Sequence, residues 1–386
     1  MSLALKDIAF SPTRFILTVL GVGFLITASI GMVGIYRGIV DDAMLLVEKV
    51  GADLWIVQGG RQGPFSEGSS VRADLDQRVA GVAGVTSARR FLQVSQQFDA
   101  PDGVGQMRAA IVGLDYPKDE GNWIDLVAGR SIATGHFEAI ADETIGLALG
   151  DVVRLNHDDY TIVGITRQMV DLSGDGILFV TINDAMEIAQ RRSSEEVLLT
   201  RAVMDDAGPE AALSPAANKV AAVLATVDPA ADIAAVRASI AAWGDVNVMS
   251  RADQRDLLLN QRLWRLRVQI LAFTGVLLIV MTIVISLIIY MMTLEKLHQI
   301  AMLKLMGARN SLITGMIAQQ SAAISFLAFG VGIGLAKLIF PLFPRRVVMA
   351  PDDITYLFIA VAVIAACASL IGISRAMRVR AQEVLA

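Results

Sequence analysis

The sequence is poor in the side chains that do chemistry. It holds one cysteine, Cys367, and three histidines, His136, His157 and His298, among 386 residues. A single thiol builds no disulfide framework, cysteine zinc site or iron–sulfur cluster. The histidines lie far apart and no HExxH pair occurs, so no metal motif is present. No GxxxxGK[ST] segment exists, and the chain has no P-loop to cradle ATP. Charge is also sparse: 18% of residues are charged, against about 25% in soluble domains. The net charge of −5 has the wrong sign for a nucleic-acid binder. These absences leave no metal motif and no ATP loop in the sequence; it names no catalytic residue, and no catalysis and no cofactor of its own are expected.

What is abundant is apolar. Hydrophobic residues make up 54% of the chain, which excludes disorder and exceeds what a soluble surface can hide. They concentrate in four runs long enough to cross about 30 Å of hydrocarbon as helix. These are Phe15–Tyr36, Val268–Met292, a run within Ile313–Phe340 that is most apolar from Ser321, and Ile354–Ile373. Lys337 sits near the end of the third, where it can snorkel to the interface. The first run is too long for a signal-peptide core and no A-x-A site follows, so it reads as a span. The spacing predicts segments 1–14, a first span 15–38, an extension 39–50, an α+β domain 51–250 and a second extension 251–267. A span 268–292, a loop 293–311, a span 312–340, a short loop 341–353, a span 354–373 and a tail 374–386 follow. The expected fold class is an α-helical membrane protein with four transmembrane helices and an α+β extracytoplasmic domain between the first two. Lys6 and Arg14, then Lys296, Lys304 and Arg309, then Arg375, Arg378 and Arg380 place both termini and the 293–311 loop in the cytoplasm. Arg345 and Arg346 in the short outer loop are a minor dissent. The large domain is then expected on the outer side of the membrane.

Within that domain, Leu54–Val57, Val85–Leu92, Met107–Val112, Ile177–Thr181 and Val246–Met249 read as strands. Asp151–Leu155 and Tyr160–Ile165 flank a turn-rich tetrapeptide and read as a hairpin. Leu75–Val82 is short and amphipathic. Asn183–Gln190, with Asn183 near the N-cap, Pro215–Val227 and Asp232–Ala242 read as helices. Gln62–Ser70 is rich in Gly and Ser and is expected to be mobile. The interleaving suggests a central subdomain inserted into one built from the flanks. Ile39–Val50 lacks Gly and Pro and prolongs the first span. Ser250-Arg251-Ala252-Asp253 matches a capping box, from which one helix is expected to run into the second span. Together these would form a stalk.

Between the second and third spans, Leu294, Leu297, Ala301, Lys304 and Leu305 follow helical spacing, with Gly307 as a C-cap. This predicts a short amphipathic helix at the membrane surface, whose blander reading is a passive interfacial helix. Small residues recur at four-residue spacing in Gly34-x-x-x-Gly38, Gly330-x-x-x-Gly334 and Ala328-x-x-x-Gly332. Such faces let helices approach closely and permit dimerisation. Ionisable groups are almost absent from the span centres, which disfavours an ion-coupled transporter.

These parts, in this order, resemble the MacB/FtsX-type permeases of ABC transporters. Arg14-Phe15-Ile16-Leu17-Thr18-Val19-Leu20-Gly21-Val22 resembles the family's R-x-x-L-T-x-L-G-I opening. Leu149-Gly150-Asp151-Val152-Val153 and Tyr160-Thr161-Ile162-Val163-Gly164-Ile165 resemble its periplasmic motif. Glu295-Lys296 with Ile300-Ala301-Met302-Leu303-Lys304-Leu305-Met306-Gly307-Ala308 resembles its coupling loop. Gln299 departs from an acidic position there, and Leu305-Met306 from an Ala-Ile-like pair. Arg378–Leu385 resembles the closing R-x-x-P-x-E-x-L, with Ala381 where Pro is common. Gly51-Ala52-Asp53-Leu54-Trp55 and the lack of a fused nucleotide-binding domain look most like the DevC-type members. The resemblance implies a separate ATPase, holding ATP and Mg, that docks on Glu295, Lys296, Leu297, Ile300, Ala301, Leu303, Lys304, Gly307 and Ala308. It further implies a dimer, homo- or heteromeric, and a periplasmic adaptor or membrane-fusion protein. The implied task is ATP-driven export or extraction of a hydrophobic or amphiphilic substrate, such as a lipid, lipoprotein or drug-like molecule. The alternative is FtsX-like signalling to a periplasmic cell-wall hydrolase. A membrane-anchored sensor with no ATPase is the third.

Overall fold

In the computed structural model the described residues are 12–101, 103–190, 219–296, 298, 300–302, 306, 309–343 and 345–378. The chain divides into two units, one of residues 1–39 and 265–386 and one of residues 40–264. Helix α1, Pro12–Lys49, passes unbroken from the first unit into the second. No glycine or proline interrupts it after Gly38.

The second unit then runs β1 Leu54–Gln58, β2 Val71–Arg72, α2 Leu75–Ala80, β3 Val85–Asp99, β4 Gln106–Leu114, β5 Leu126–Gly129 and β6 Glu138–Asp142. It continues with β7 Val152–Leu155, β8 Asp158–Thr166, β9 Ile177–Thr181 and α3 Ile182–Gln190. Then come β10 Lys219–Val220, β11 Ala222–Val227, α4 Ile233–Ala241, β12 Val246–Ser250 and α5 Arg251–Asp256. One sheet runs in the order β12-β1-β11-β3-β4-β9-β6-β8-β5, with β7 also on β8. Its pivot is β3, 15 residues long. Val85–Phe91 pairs with β11, and Leu92–Asp99 pairs with β4. The chain's flanking segments thus make one half-sheet and the inserted segment makes the other, joined through one strand. β9 is buried along its whole length, as a central strand with a continuous apolar run should be. The β7–β8 hairpin turns at Asn156, which adopts φ 60°, a conformation Asn tolerates.

Several expectations are corrected. Of the helix expected over Pro215–Val227, residues 215–218 lie outside those described. The remainder is strand: β11 sits between β1 and β3, with every residue but Thr226 buried. A short Ala/Val run has no periodicity that separates a buried strand from a buried helix. The cap of α3 is Thr181, whose hydroxyl accepts from the Asp184 N–H at 3.3 Å, and Asn183 lies in the first turn. The Gln62–Ser70 segment is anchored rather than free. Gln254 donates to the Gly63 carbonyl at 2.8 Å and Arg262 to that of Ser66 at 2.9 Å. Phe65 packs edge-on against Trp55 and Phe91, with ring centroids 5.2 and 5.8 Å apart.

The two expected stalk extensions differ from plain helices. Leu46 and Val47 of α1, and Val50 just after its end, are buried within the second unit. The capping box at Ser250 forms: its hydroxyl accepts from Asp253 N–H at 3.1 Å and Asp253 accepts from Ser250 N–H at 2.9 Å. The helix it starts is not continuous. After α5 the turn widens into a π-helix over Leu257–Arg262, where Leu263 N–H reaches the Leu258 carbonyl at 2.9 Å. The backbone bends at Leu263 before the next helix begins. A π turn is a recognised cause of such a kink.

The first unit adds α6 Trp264–Glu295, α7 Asn310–Ile339 and α8 Pro351–Arg378 to the start of α1. Among the described residues, four helices are long and apolar enough to cross a membrane. They share a core that includes Val22, Ile26, Met281, Ile285, Ala328 and Val361. Leu271, Ile283, Leu287, Leu338 and Val363 remain exposed, which suits side chains facing lipid.

Two outcomes test this description. Phe65→Ala should release Gln62–Ser70 and speed tryptic cleavage after Arg61 severalfold, because cleavage follows the open population; gel-resolved digestion reads it. Glu138 accepts from Arg130 and from the Ala133 and Thr134 N–H groups. The Arg130 guanidinium chiefly holds its carboxyl down from 4.5 to about 2. A lowered native pKa gives stability that is present above pH 4.5 and is lost as pH falls towards 2. Glu138→Gln should therefore flatten the acid limb of thermal unfolding in that window.

Candidate functional site

The loop after α6 is where the sequence placed its coupling residues. Here Ile300 N–H bonds to the Lys296 carbonyl at 2.8 Å, and Met306 N–H to that of Met302 at 3.1 Å. His298 and Ile300–Met302 are helical. Leu297, Leu303, Lys304, Gly307 and Ala308 lie outside the described residues, as do Gln299 and Leu305. The described residues divide by face. Ile300 and Ala301 are 1% and 0% exposed, and Ile300 belongs to the apolar cluster of Ile289, Ile313 and Ile317. Glu295, His298, Met302, Met306 and Arg309 are exposed.

This corrects the expected roles of Ile300 and Ala301. Buried in their own bundle, they seat the segment and offer no surface to another chain. The apolar side chains that do face outward are Met302, 48% exposed, and Met306, 73% exposed. Both stand in the coupling-loop motif, but neither is among the docking residues that the resemblance implies. The usable signal was their four-residue spacing, which puts them on one helical face, combined with the adaptability of methionine at protein surfaces.

The glycine faces also divide. A Cβ on Gly34 would lie 2.6 Å from Val347 Cγ1, and one on Gly38 would lie 2.0 Å from the Arg346 carbonyl oxygen. Gly34 accepts from the Val348 N–H at 3.0 Å. These two glycines therefore admit the extended segment before α8, within the same chain, and do not present a helix-dimer face. Beside them Arg37 forms a two-point ion pair with Asp353 through Nε and, at 2.9 Å, Nη2. Together these contacts tie α1 to the start of α8. A Cβ on Gly330 or Gly334 would meet nothing within 4 Å, so neither packs against another helix of this chain. Close packing between α1 and α7 falls instead to Gly23 and Gly332, with the Thr27 hydroxyl 2.9 Å from the Gly23 carbonyl and 3.0 Å from that of Gly332. Among the described residues no three His, Cys, Asp or Glu side chains are grouped to hold a metal.

The arrangement is that of a membrane bundle with a surface loop helix, and its α/β domain is inserted after the first span. A model of the MacB-like periplasmic core domain matches residues 15–243, and one of the FtsX-like permease C-terminal region matches residues 271–381. The chain belongs to the MacB/FtsX family of ABC transporter permeases. An uncharacterised ABC transporter permease of Mycobacterium tuberculosis is 25% identical over 377 residues, covering 97% of this chain and 96% of that one. Another, from Mycobacterium bovis, is 24% identical over 380 residues, covering 97% and 96%. Among solved structures, the periplasmic region of MacB from Actinobacillus actinomycetemcomitans matches with a TM-score of 0.36 and 10% identity, over 55% of this chain and 94% of that one. Family membership gives the permease a membrane setting and an ATPase partner, in a class of transmembrane subunits that are not themselves catalytic.

The glycine contact can be tested directly. In a Cys367→Ala background, Val347→Cys should react slowly with a water-soluble maleimide. Adding Gly38→Ala, which forces the Arg346 carbonyl away, should raise that rate severalfold. An unchanged rate would mean that the segment does not depend on the glycine.

Proposed function

We propose that the permease couples ATP hydrolysis by a separate ATPase to movement of its α/β domain. This movement drives export or extraction of a hydrophobic or amphiphilic substrate, together with a periplasmic adaptor. The observation that carries this reading is α1, one helix that contributes Val22 and Ile26 to the membrane core and Leu46 to the domain core. A tilt of the span is thereby passed along a continuous hydrogen-bonded element. ATP and Mg are bound by the partner, consistent with a sequence that has no P-loop. Basic residues near the span ends support a cytoplasmic location for both termini and for the loop at 293–311. The ATPase then meets the exposed face of Glu295, His298, Met302 and Met306. Two copies of the permease face two ATPase subunits, and Gly330 and Gly334 are free for such pairing in each copy.

Met302→Asp with Met306→Asp tests the docking face without touching the buried Ile300 and Ala301. The double variant should insert normally, lose most co-purifying ATPase and lose permease-stimulated ATP turnover. Intact association and turnover would refute the docking face.

A further inference from the structure

The loop that joins α7 to α8 lies at the opposite end of the bundle from the 293–311 loop, because α7 runs from one to the other. A short loop between two spans sits in the interfacial layer, which is about 5–7 Å thick beyond the hydrocarbon. Contacts with α1 fix its backbone. Phe340 is buried against Gly31, the Arg346 carbonyl lies against Gly38, and Val348 N–H bonds to the Gly34 carbonyl at 3.0 Å.

Two large apolar side chains of this loop face outward. Leu342 is 82% exposed and Phe343 46%. Phe343 stands edge-on to Phe340, with ring centroids 6.2 Å apart. Tyr356, also exposed, follows Pro351 at the start of α8 by about 7.5 Å of helix. An exposed tyrosine that close to the end of a span marks the membrane interface. At this level lipid chains can cover Leu342 and Phe343, whereas a small soluble ligand would leave them in water.

Arg345 and Arg346 come directly after the apolar pair, and Arg346 is exposed. Lys337 near the end of α7 and Arg265 and Arg267 at the start of α6 are exposed at the same end of the bundle. The carboxylates there are Asp352 and Asp353, and Asp353 is held by Arg37. This end is therefore net positive. The rule that orients the other loops by charge does not account for these residues; an anion at their level does. A guanidinium matches a phosphate through paired N–H donors. We propose that Leu342, Phe343, Arg345 and Arg346 form a binding surface for an anionic phospholipid of the leaflet opposite the 293–311 loop. The apolar pair enters the hydrocarbon, and the arginines meet the lipid phosphate just above it. The clamp of this loop on Gly34 and Gly38 holds them at that height. This surface does not depend on the ATPase coupling proposed above.

The full-length permease can be reconstituted in vesicles of equal parts phosphatidylethanolamine and phosphatidylglycerol. In parallel samples one lipid or the other carries a diazirine near the carboxyl end of one chain, which leaves both headgroups intact. Peptide mass spectrometry should show 340–346 labelled severalfold more by phosphatidylglycerol than by phosphatidylethanolamine. Arg346→Gln should lower that excess about five-fold, the ratio given by about 1 kcal/mol for one basic residue at an anionic surface. Arg345→Lys with Arg346→Lys keeps the charge and should keep most of the excess. Labelling at Ile16–Leu20, at the other end of the bundle, should stay unchanged in every variant and so report correct insertion. Equal labelling by the two lipids, or an excess that survives Arg345→Gln with Arg346→Gln, would overturn the surface. So would loss of the excess in the lysine pair, which would remove charge as its cause. Loss of the excess on adding soluble glycerol phosphate would also overturn it, by assigning the arginines to a soluble anion.

Discussion

The first unit depends on how closely other backbone can come to α1. Lipid offers no hydrophobic drive between helices, so association rests on packing and interhelical hydrogen bonds. Glycines supply the packing at successive levels. Gly23 faces Val331 and the Ala328 carbonyl, Gly31 faces the Phe340 ring, and Gly34 and Gly38 face Val347 and Arg346. Thr27 adds a hydrogen bond across the same face to the Gly332 carbonyl. A β-carbon at Gly38 would collide with the Arg346 carbonyl, which cannot yield without moving the chain, and one at Gly34 would press on the Val347 side chain and the Val348 carbonyl oxygen. α1 is therefore the element on which α7 and the segment before α8 are seated. The ion pair of Arg37 and Asp353 lies at the end of that row, next to Gly38.

Much of this was legible in sequence, because long apolar runs and turn chemistry are local signals. The four spans, the α/β domain after the first, the capping box at Ser250 and the hairpin around Asn156 all follow from a few adjacent residues. What escaped depends on partners distant in sequence. Gly34-x-x-x-Gly38 announces close approach but not what approaches, and here it is an extended strand-like segment rather than a helix. Ala222–Val227 reads equally as helix or strand until β1 and β3 are seen on either side of it. Gln62–Ser70 has the composition of a free loop, yet its one aromatic, Phe65, reaches Trp55 and Phe91. No count of Gly and Ser would show that.

The same reasoning explains the domain's unusual strand. A 15-residue β3 serves two half-sheets because the inserted segment enters after it and returns before β11. Residues 222–227 can then pair with both β1 and β3. Non-local pairing of this kind closes only after the insertion has folded back, so the flanking half-sheet is completed by residues far apart in the chain. The fold therefore places Ser250, and with it the start of α5, one strand away from β1 and the end of α1. Both chain connections to the spans leave from the same half-sheet.

Ile300 and Ala301 were expected to meet a partner because motif positions carry no label for inside and outside. Their burial changes the mechanical role of the segment. Ile300, two residues before the exposed Met302, is packed among Ile289, Ile313 and Ile317, at the end of α6 and the start of α7. On the docking face proposed above, a push at Met302 would bear on α6 and α7 rather than on a free loop. α7 in turn is packed on α1 through Gly332 and Gly23. The apolar residues Ile300 and Ala301 are therefore committed to the interior, and Met302 and Met306 are left at the surface.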